Sequence, residues 1–150
     1  MDETQTDHYI LFTVAETTYA LPSDVVAHVE MVENVTRVPN AASFVDGVVF
    51  SRGQVVPAIN MRARFGFDRV ERDLRTRLLV VQNGARAVGL LVDGCREFLT
   101  IPADSIRPAA DAVSGAGGRF IAGIATLNER LVVVLDLDTL LDSTEPALTV

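Results

Sequence analysis

The chain has 150 residues, 49% of them hydrophobic, with a net charge of −7 and one cysteine, Cys95. That size and apolar content suffice to bury a core without disulfide or metal, and a single cysteine excludes an intrachain disulfide and fits a reducing compartment. The acidic balance argues against a groove that tracks nucleic-acid phosphates, while the 13 cations, all arginine, exclude lysine Schiff-base chemistry and the lysine of a P-loop.

Residues 1–7 read as a loose, polar start with no basic-then-apolar leader, and no run reaches the roughly 18 apolar residues of a membrane span. The chain therefore reads as soluble and not secreted. Ile10 to Val14 and Tyr19 to Leu21 form an expected hairpin around Glu16-Thr17-Thr18. Val25, Val26 and Val29 continue as a strand that places His28 on the face opposite Val29, as a surface imidazole or a contact residue. After the loop at Val38-Pro39 come Phe44 to Val49, a turn at Ser51-Arg52-Gly53, and Val55 to Met61. Asn60 to Phe65 predicts one or two helical turns stopped at Gly66. The stretch from Arg62 to Arg77, with six arginines against Asp68, Glu71 and Asp73, reads as a solvated connector.

Leu78 to Gln82 and Ala87 to Val92 then flank Asn83-Gly84, a strong signal for a type I′ hairpin. Cys95, Phe98 and Leu99 follow, then Arg107-Pro108 and a loop rich in small residues, 111–118. Phe120 to Ala125 and Leu131 to Leu137 make a last hairpin around Asn128-Glu129-Arg130. Asp136 to Leu141 predicts a short helix capped by Asp136 or Asp138, and the residues from Asp142 onward read as a tail.

The second half repeats the first. Phe44-Val45-Asp46-Gly47-Val48-Val49 returns 76 residues later as Phe120-Ile121-Ala122-Gly123-Ile124-Ala125, and upstream the spacing is 69, with Leu21 on Leu90 and Asp24 on Asp93. The extra residues fall in the loop 111–118, where an insertion disturbs a sheet least. Two copies of about five short strands, with few helices, predict a mainly β fold of two small closed barrels that hide their edges. The first barrel is expected mainly over 8–65 and the second mainly over 76–141.

Catalytic and metal chemistry find little support. His8 has no acidic or cysteine residue at ligand spacing, so metal binding by His8 and His28 as a pair is not expected, and Cys95 lacks a local base and reads as a buried small hydrophobe. Asp136 and Asp138 have no further ligands near them and suit capping better than metal. The glycines of 114–118 lack the strand and helix of a phosphate-binding fingerprint. No catalytic residue, cofactor or metal is assigned. The informative difference between the copies is the turn: Ser51-Arg52-Gly53 stands where the second copy has Leu127-Asn128-Glu129. An arginine at a hairpin tip beside Val49 and Phe50 has the composition of an interface centre. The competing readings are an exposed arginine with no role and one paired with Asp46.

The runs Tyr19-Ala20-Leu21-Pro22, Phe44 to Val49, Arg52-Gly53-Gln54-Val55-Val56-Pro57, Gly89 to Gly94 and Leu135-Asp136-Leu137 together resemble the CheW-like adaptor family of bacterial chemotaxis, from about His8 to Leu141. The resemblance implies two intertwined five-stranded SH3-like barrels around a hydrophobic centre, without catalytic activity. It implies a cytoplasmic adaptor, recruited to membrane receptor arrays, that couples the cytoplasmic tips of chemoreceptors to a chemotaxis histidine kinase by binding the kinase's own CheW-like regulatory domain. It further implies partner contacts at Val26, His28, Gly47, Arg52 and Gly53, to which the reading of the hairpin tip adds Phe50 and Ser51. The chain departs from the family's pattern at Phe50-Ser51, where Asn-Leu is usual, and at His28, where an acidic residue is common. Those departures bear on which partner is served, so an adaptor of a related system for surface motility is the first alternative. A small-molecule-binding or catalytic barrel pair using Cys95 or His28 is the second. Nucleic-acid binding and direct membrane insertion are not expected.

Overall fold

The computed structural model describes residues 6–108 and 120–142. The loop 111–118, the start of the chain and the tail after Asp142 lie outside the described residues. Among the described residues eleven strands are built around four tight hairpins: β1 (Thr6–Val14) with β2 (Thr17–Pro22), β4 (Val45–Ser51) with β5 (Gln54–Asn60), β6 (Arg77–Asn83) with β7 (Arg86–Val92), and β10 (Ile121–Leu127) with β11 (Arg130–Leu135). The remaining strands are β3 (Val26–Met31), β8 (Gly94–Pro102) and the short β9 (Ile106–Pro108).

Every hairpin turns on two residues, so the expected turns shift. Thr17 and Thr18 belong to β2, paired with Val14 and Thr13, and the first turn is Ala15-Glu16. Both its residues have positive φ, 50° and 71°, and the half-buried Ala15 N–H donates to the Asp93 carboxylate at 2.8 Å. Asn83 likewise pairs with Arg86 as a strand residue, leaving Gly84 at +66° as the one left-handed residue of that turn. Ser51 and Arg130 are strand residues too, so the other two turns are Arg52-Gly53 and Asn128-Glu129.

Five strands form one sheet in the order β3-β6-β7-β5-β4, and six form the other in the order β8-β1-β2-β11-β10-β9. The halves are exchanged: β1 and β2 lie in the sheet of the second half's β8 to β11, and β6 and β7 in the sheet of the first half's β3 to β5. Neither sheet is a continuous stretch of chain, and the parallel pairs β2 with β11 and β5 with β7 join the halves.

Strand register carries the repeat down to single residues. Val26 faces Val81 and His28 faces Val80, with a bulge between them. At the 69-residue spacing, Cys95 faces Phe12 and Glu97 faces Leu11, bulged at the same place. Alternation sends one face of each strand into its own barrel: Val49, Val56, Ala58, Leu78 and Val80 fill the five-stranded unit, and Ala125, Val132, Val134, Tyr9 and Leu11, their repeat counterparts, fill the other. The opposite faces, among them Ile10, Phe12, Leu21, Leu79 and Leu90, merge into a larger cluster between the barrels. Burial of this kind, worth about 25 cal/mol per Å² of apolar surface, holds the exchanged halves together.

Each half ends in a short helix, α1 (Met61–Arg64) and α2 (Leu137–Leu141). Asn60 caps α1 by accepting from Ala63 N–H, and Asp136 caps α2 by accepting from Asp138 N–H and the Thr139 hydroxyl. Asp136 is thereby spent on structure.

Candidate functional site

The hairpin of β4 and β5 ends in Arg52 at φ 48° and Gly53 at φ 86°, a geometry that glycine meets without strain and an arginine meets at some cost. Both residues are exposed. Asp46, the alternative neutraliser, is engaged elsewhere: it accepts from Arg69 at 2.9 Å and from Asn60 at 3.0 Å. Arg52 has no ion-pair or hydrogen-bond partner among the described residues. Directly below it, Phe50 and Val55 face one another across the two strands, and they are 73% and 59% exposed. The result is an unpaired cation above an exposed apolar pair, which suits a contact whose affinity comes from desolvating the pair and whose orientation comes from the charge.

The other expected site residues are placed differently. Val49, thought to flank the tip, is in the barrel core. Gly47 is buried, and a Cβ there would stand 2.1 Å from the Thr36 carbonyl oxygen. That approach carries the paired hydrogen bonds between Thr36 and Val48, so Gly47 serves strand pairing. Gly123 is crowded in the same way by Ile106 and Arg107. Val26 is half-buried against the central cluster.

Ser51 is 1% exposed and so belongs to the interior. Its hydroxyl donates to Glu30 Oε2 at 2.5 Å and lies 3.0 Å from His28 Nε2. His28 Nε2 is in turn 2.6 Å from Glu30 Oε2, its side chain only 12% exposed, so His28 is no free surface imidazole. The bulge at Ala27 and the arrival of β4 over that face cover it. The two departures from the family pattern, His28 and Ser51, thus touch each other through a residue that sequence reasoning passed over, Glu30. The trio is not a nucleophile with its base. One imidazole nitrogen meets both partners and Ser51 donates to the carboxylate, whereas an activated serine donates to an imidazole that the carboxylate orients from its other nitrogen.

The arginine-rich connector is also more structured than a solvated linker. Arg62 pairs with Asp93 at 2.8 Å and is held more firmly protonated by it. Arg69 pairs with Asp46 at 2.9 Å. Arg64 lies 4.1 Å from the centre of the Phe44 ring and 4.8 Å from that of Phe120, and donates to the Leu140 carbonyl at 2.9 Å. An open cleft of about 520 Å³ along the connector is lined by Arg62, Asp73, Arg75, Asp93 and Cys95, among others. Two ion pairs lie along it, Arg62 with Asp93 and Arg75 with Asp73, and Glu16, Glu71, Arg77 and Arg96 add charges of both signs. Burial pushes the Cys95 thiol up, which withdraws the thiolate a nucleophile would need. His28 does not line the cleft, so the two residues offered as reactive groups are not brought together. Among the described residues no three metal-ligating side chains gather, and no helix is long and apolar enough to cross a membrane.

Residues 8–145 match the family model of the CheW-like domain. The chain is 33% identical to chemotaxis protein CheW of Klebsiella aerogenes over 97% of its own length and 88% of that protein's. It is 25% identical to protein FrzA of Myxococcus xanthus over 90% of its length and 85% of that protein's. The crystal structure of the scaffolding protein TtCheW from Thermoanaerobacter tengcongensis superposes with a TM-score of 0.85 at 26% identity, covering 93% of this chain and 95% of that one.

Proposed function

The chain belongs to the CheW-like family and is a chemotaxis adaptor, and from that premise we propose that it couples chemoreceptor tips to a histidine kinase by binding the kinase's CheW-like regulatory domain. It does so without catalysis, in the cytoplasm, recruited to receptor arrays. The observation that carries this reading is the unpaired Arg52 above exposed Phe50 and Val55, an apolar contact with a charge that fixes its orientation. Similarity to protein FrzA is consistent with the second reading, an adaptor of a related chemosensory system for surface motility. The higher identity to chemotaxis protein CheW favours the first. Replacing Arg52 with Asp reverses the charge at an exposed tip and leaves the circular dichroism spectrum unchanged. It is expected to weaken binding to the kinase regulatory domain or to a receptor-tip fragment by about tenfold or more in a direct binding assay. Wild-type affinity for both would remove Arg52 from the site.

A further inference from the structure

His28, Glu30 and Ser51 form a closure of the first barrel that the second barrel lacks. Strands β3 and β4 lie at opposite ends of the five-stranded order and do not pair in the sheet. What joins them here is the Ser51 hydroxyl of β4, which donates to Glu30 Oε2 at 2.5 Å and lies 3.0 Å from His28 Nε2, the two β3 side chains being themselves paired at 2.6 Å. In the second barrel the repeat counterpart of Glu30 is Leu99 (30 + 69) and that of Ser51 is Leu127 (51 + 76), and both pack against the apolar cluster. The counterpart of His28, Glu97 (28 + 69), turns instead to Arg130 at 2.8 Å. A fold that closes this seam with leucines in one copy has no need of a partly buried polar cluster in the other. Such clusters seldom add stability over packed apolar groups of similar size, and their distinguishing property is direction: a hydrogen bond fixes one geometry where apolar contact accepts several.

The position of the cluster shows what is being directed. Ser51 is the last residue of β4, immediately before the left-handed Arg52. Anchoring its hydroxyl to β3 fixes the strand end from which the turn projects. We infer that His28, Glu30 and Ser51 are positioning residues that hold the Arg52 tip in the orientation its protein partner reads. This rests on the tip being the partner site. They act through Arg52 and need not touch the partner.

The test transplants the second barrel's solution as Glu30→Leu with Ser51→Leu, alongside the milder Ser51→Ala, which supplies the measurement should the double variant not fold. Each is made with Arg52 and with Arg52→Ala. Amide hydrogen exchange at residues 50–54 is expected to quicken about tenfold while the thermal midpoint moves by only a few degrees. Affinity for the kinase regulatory domain or the receptor-tip fragment should fall about fivefold with Arg52 present and no further in the Arg52→Ala background, because groups acting through one another are not additive. Unchanged exchange at the tip overturns the inference, as does an equal loss of affinity with and without Arg52. If Arg52→Ala binds like the unmodified protein, the partner-site reading fails by itself, and the exchange rates still decide whether the cluster holds the tip.

Discussion

Both barrels carry a hairpin turned by two residues of positive φ, Arg52-Gly53 in one and Asn128-Glu129 in the other, and each hairpin takes a neighbouring segment across a crowded glycine, Thr36 in the first and β9 in the second. Above that shared frame the two diverge. The first exposes Phe50 and Val55 beneath an unpaired arginine and closes its seam with a polar cluster. The second has Thr126 where Phe50 stands (50 + 76), keeps an exposed leucine, Leu131, where Val55 stands (55 + 76), and has leucines at the seam, so the contrast at the tip lies in Phe50 and Arg52. Features common to the copies are accounted for by packing, whereas features confined to one copy have no counterpart in the needs of the fold. That contrast supports the proposal of a contact site on the first hairpin, and it accounts for Gly47 by packing alone, since Gly123 is crowded in the same way.

The comparison is broken most sharply at the two glycines. Gly47→Ala would place a methyl 2.1 Å from a backbone oxygen at a φ of +151°, and it should cost about 3 kcal/mol or more. Gly123→Ala meets Ile106 Cγ2 at 2.6 Å and the Arg107 oxygen at 2.8 Å, but at an ordinary φ and with one neighbour a side chain, so about 1–3 kcal/mol is expected. Urea unfolding checks both. If Gly47→Ala is as stable as the unmodified protein, Gly47 regains its place as a contact residue.

A smaller loss is expected where the copies meet. Phe44 and Phe120 are repeat counterparts (44 + 76 = 120), and the Arg64 guanidinium lies against both rings while binding the Leu140 carbonyl. Arg64→Ala should destabilise by about 1–3 kcal/mol from lost ring contacts and hydrogen bonds. Arg64→Lys should recover only part, because an ammonium cannot stack and fork at once. Equal denaturant midpoints for the lysine variant and the unmodified protein would show that charge alone suffices at the junction.

How much of this was legible depends on whether a feature is set by alternation or by tertiary company. The duplicated apolar framework could be read because each copy independently spells the same alternation, and strand register preserves both spacings, 69 in Val26 and Cys95 and 76 in Val49 and Ala125. Turns slipped by a residue or two because residue type marks the neighbourhood of a turn while pairing fixes its position, as Val14 with Thr17 and Asn83 with Arg86 illustrate. His28 was placed on the correct face of β3, but alternation cannot say that β4 will cover that face. Arg62 and Arg69 read as solvated because their partners Asp93 and Asp46 stand 31 and 23 residues away. Arg52 stood out as a candidate because it differs between copies, a signal that a single-copy barrel would not have offered.

The smallest effect is expected at Cys95, where the copies nearly agree. Its counterpart is Val26 (26 + 69 = 95), and both are partly buried against the same central cluster. Cys95→Val therefore installs the first barrel's own solution and should change stability by less than about 1 kcal/mol at neutral pH. The variants should separate only in alkali. Burial raises the Cys95 thiol pKa in the folded chain, so the unfolded state ionises first: the thiol's contribution is intact below the ordinary cysteine pKa and is lost as pH rises through the folded one. Burial also raises the Tyr19 hydroxyl pKa, but Tyr19 is present in both proteins and cancels. The difference in urea midpoint between Cys95→Val and the unmodified protein should thus grow in favour of valine from pH 7 to pH 10. A difference that stays flat would mean that the thiol is no more desolvated in the fold than out of it, and a loss above about 2 kcal/mol at pH 7 would mean that the two positions are not packed alike.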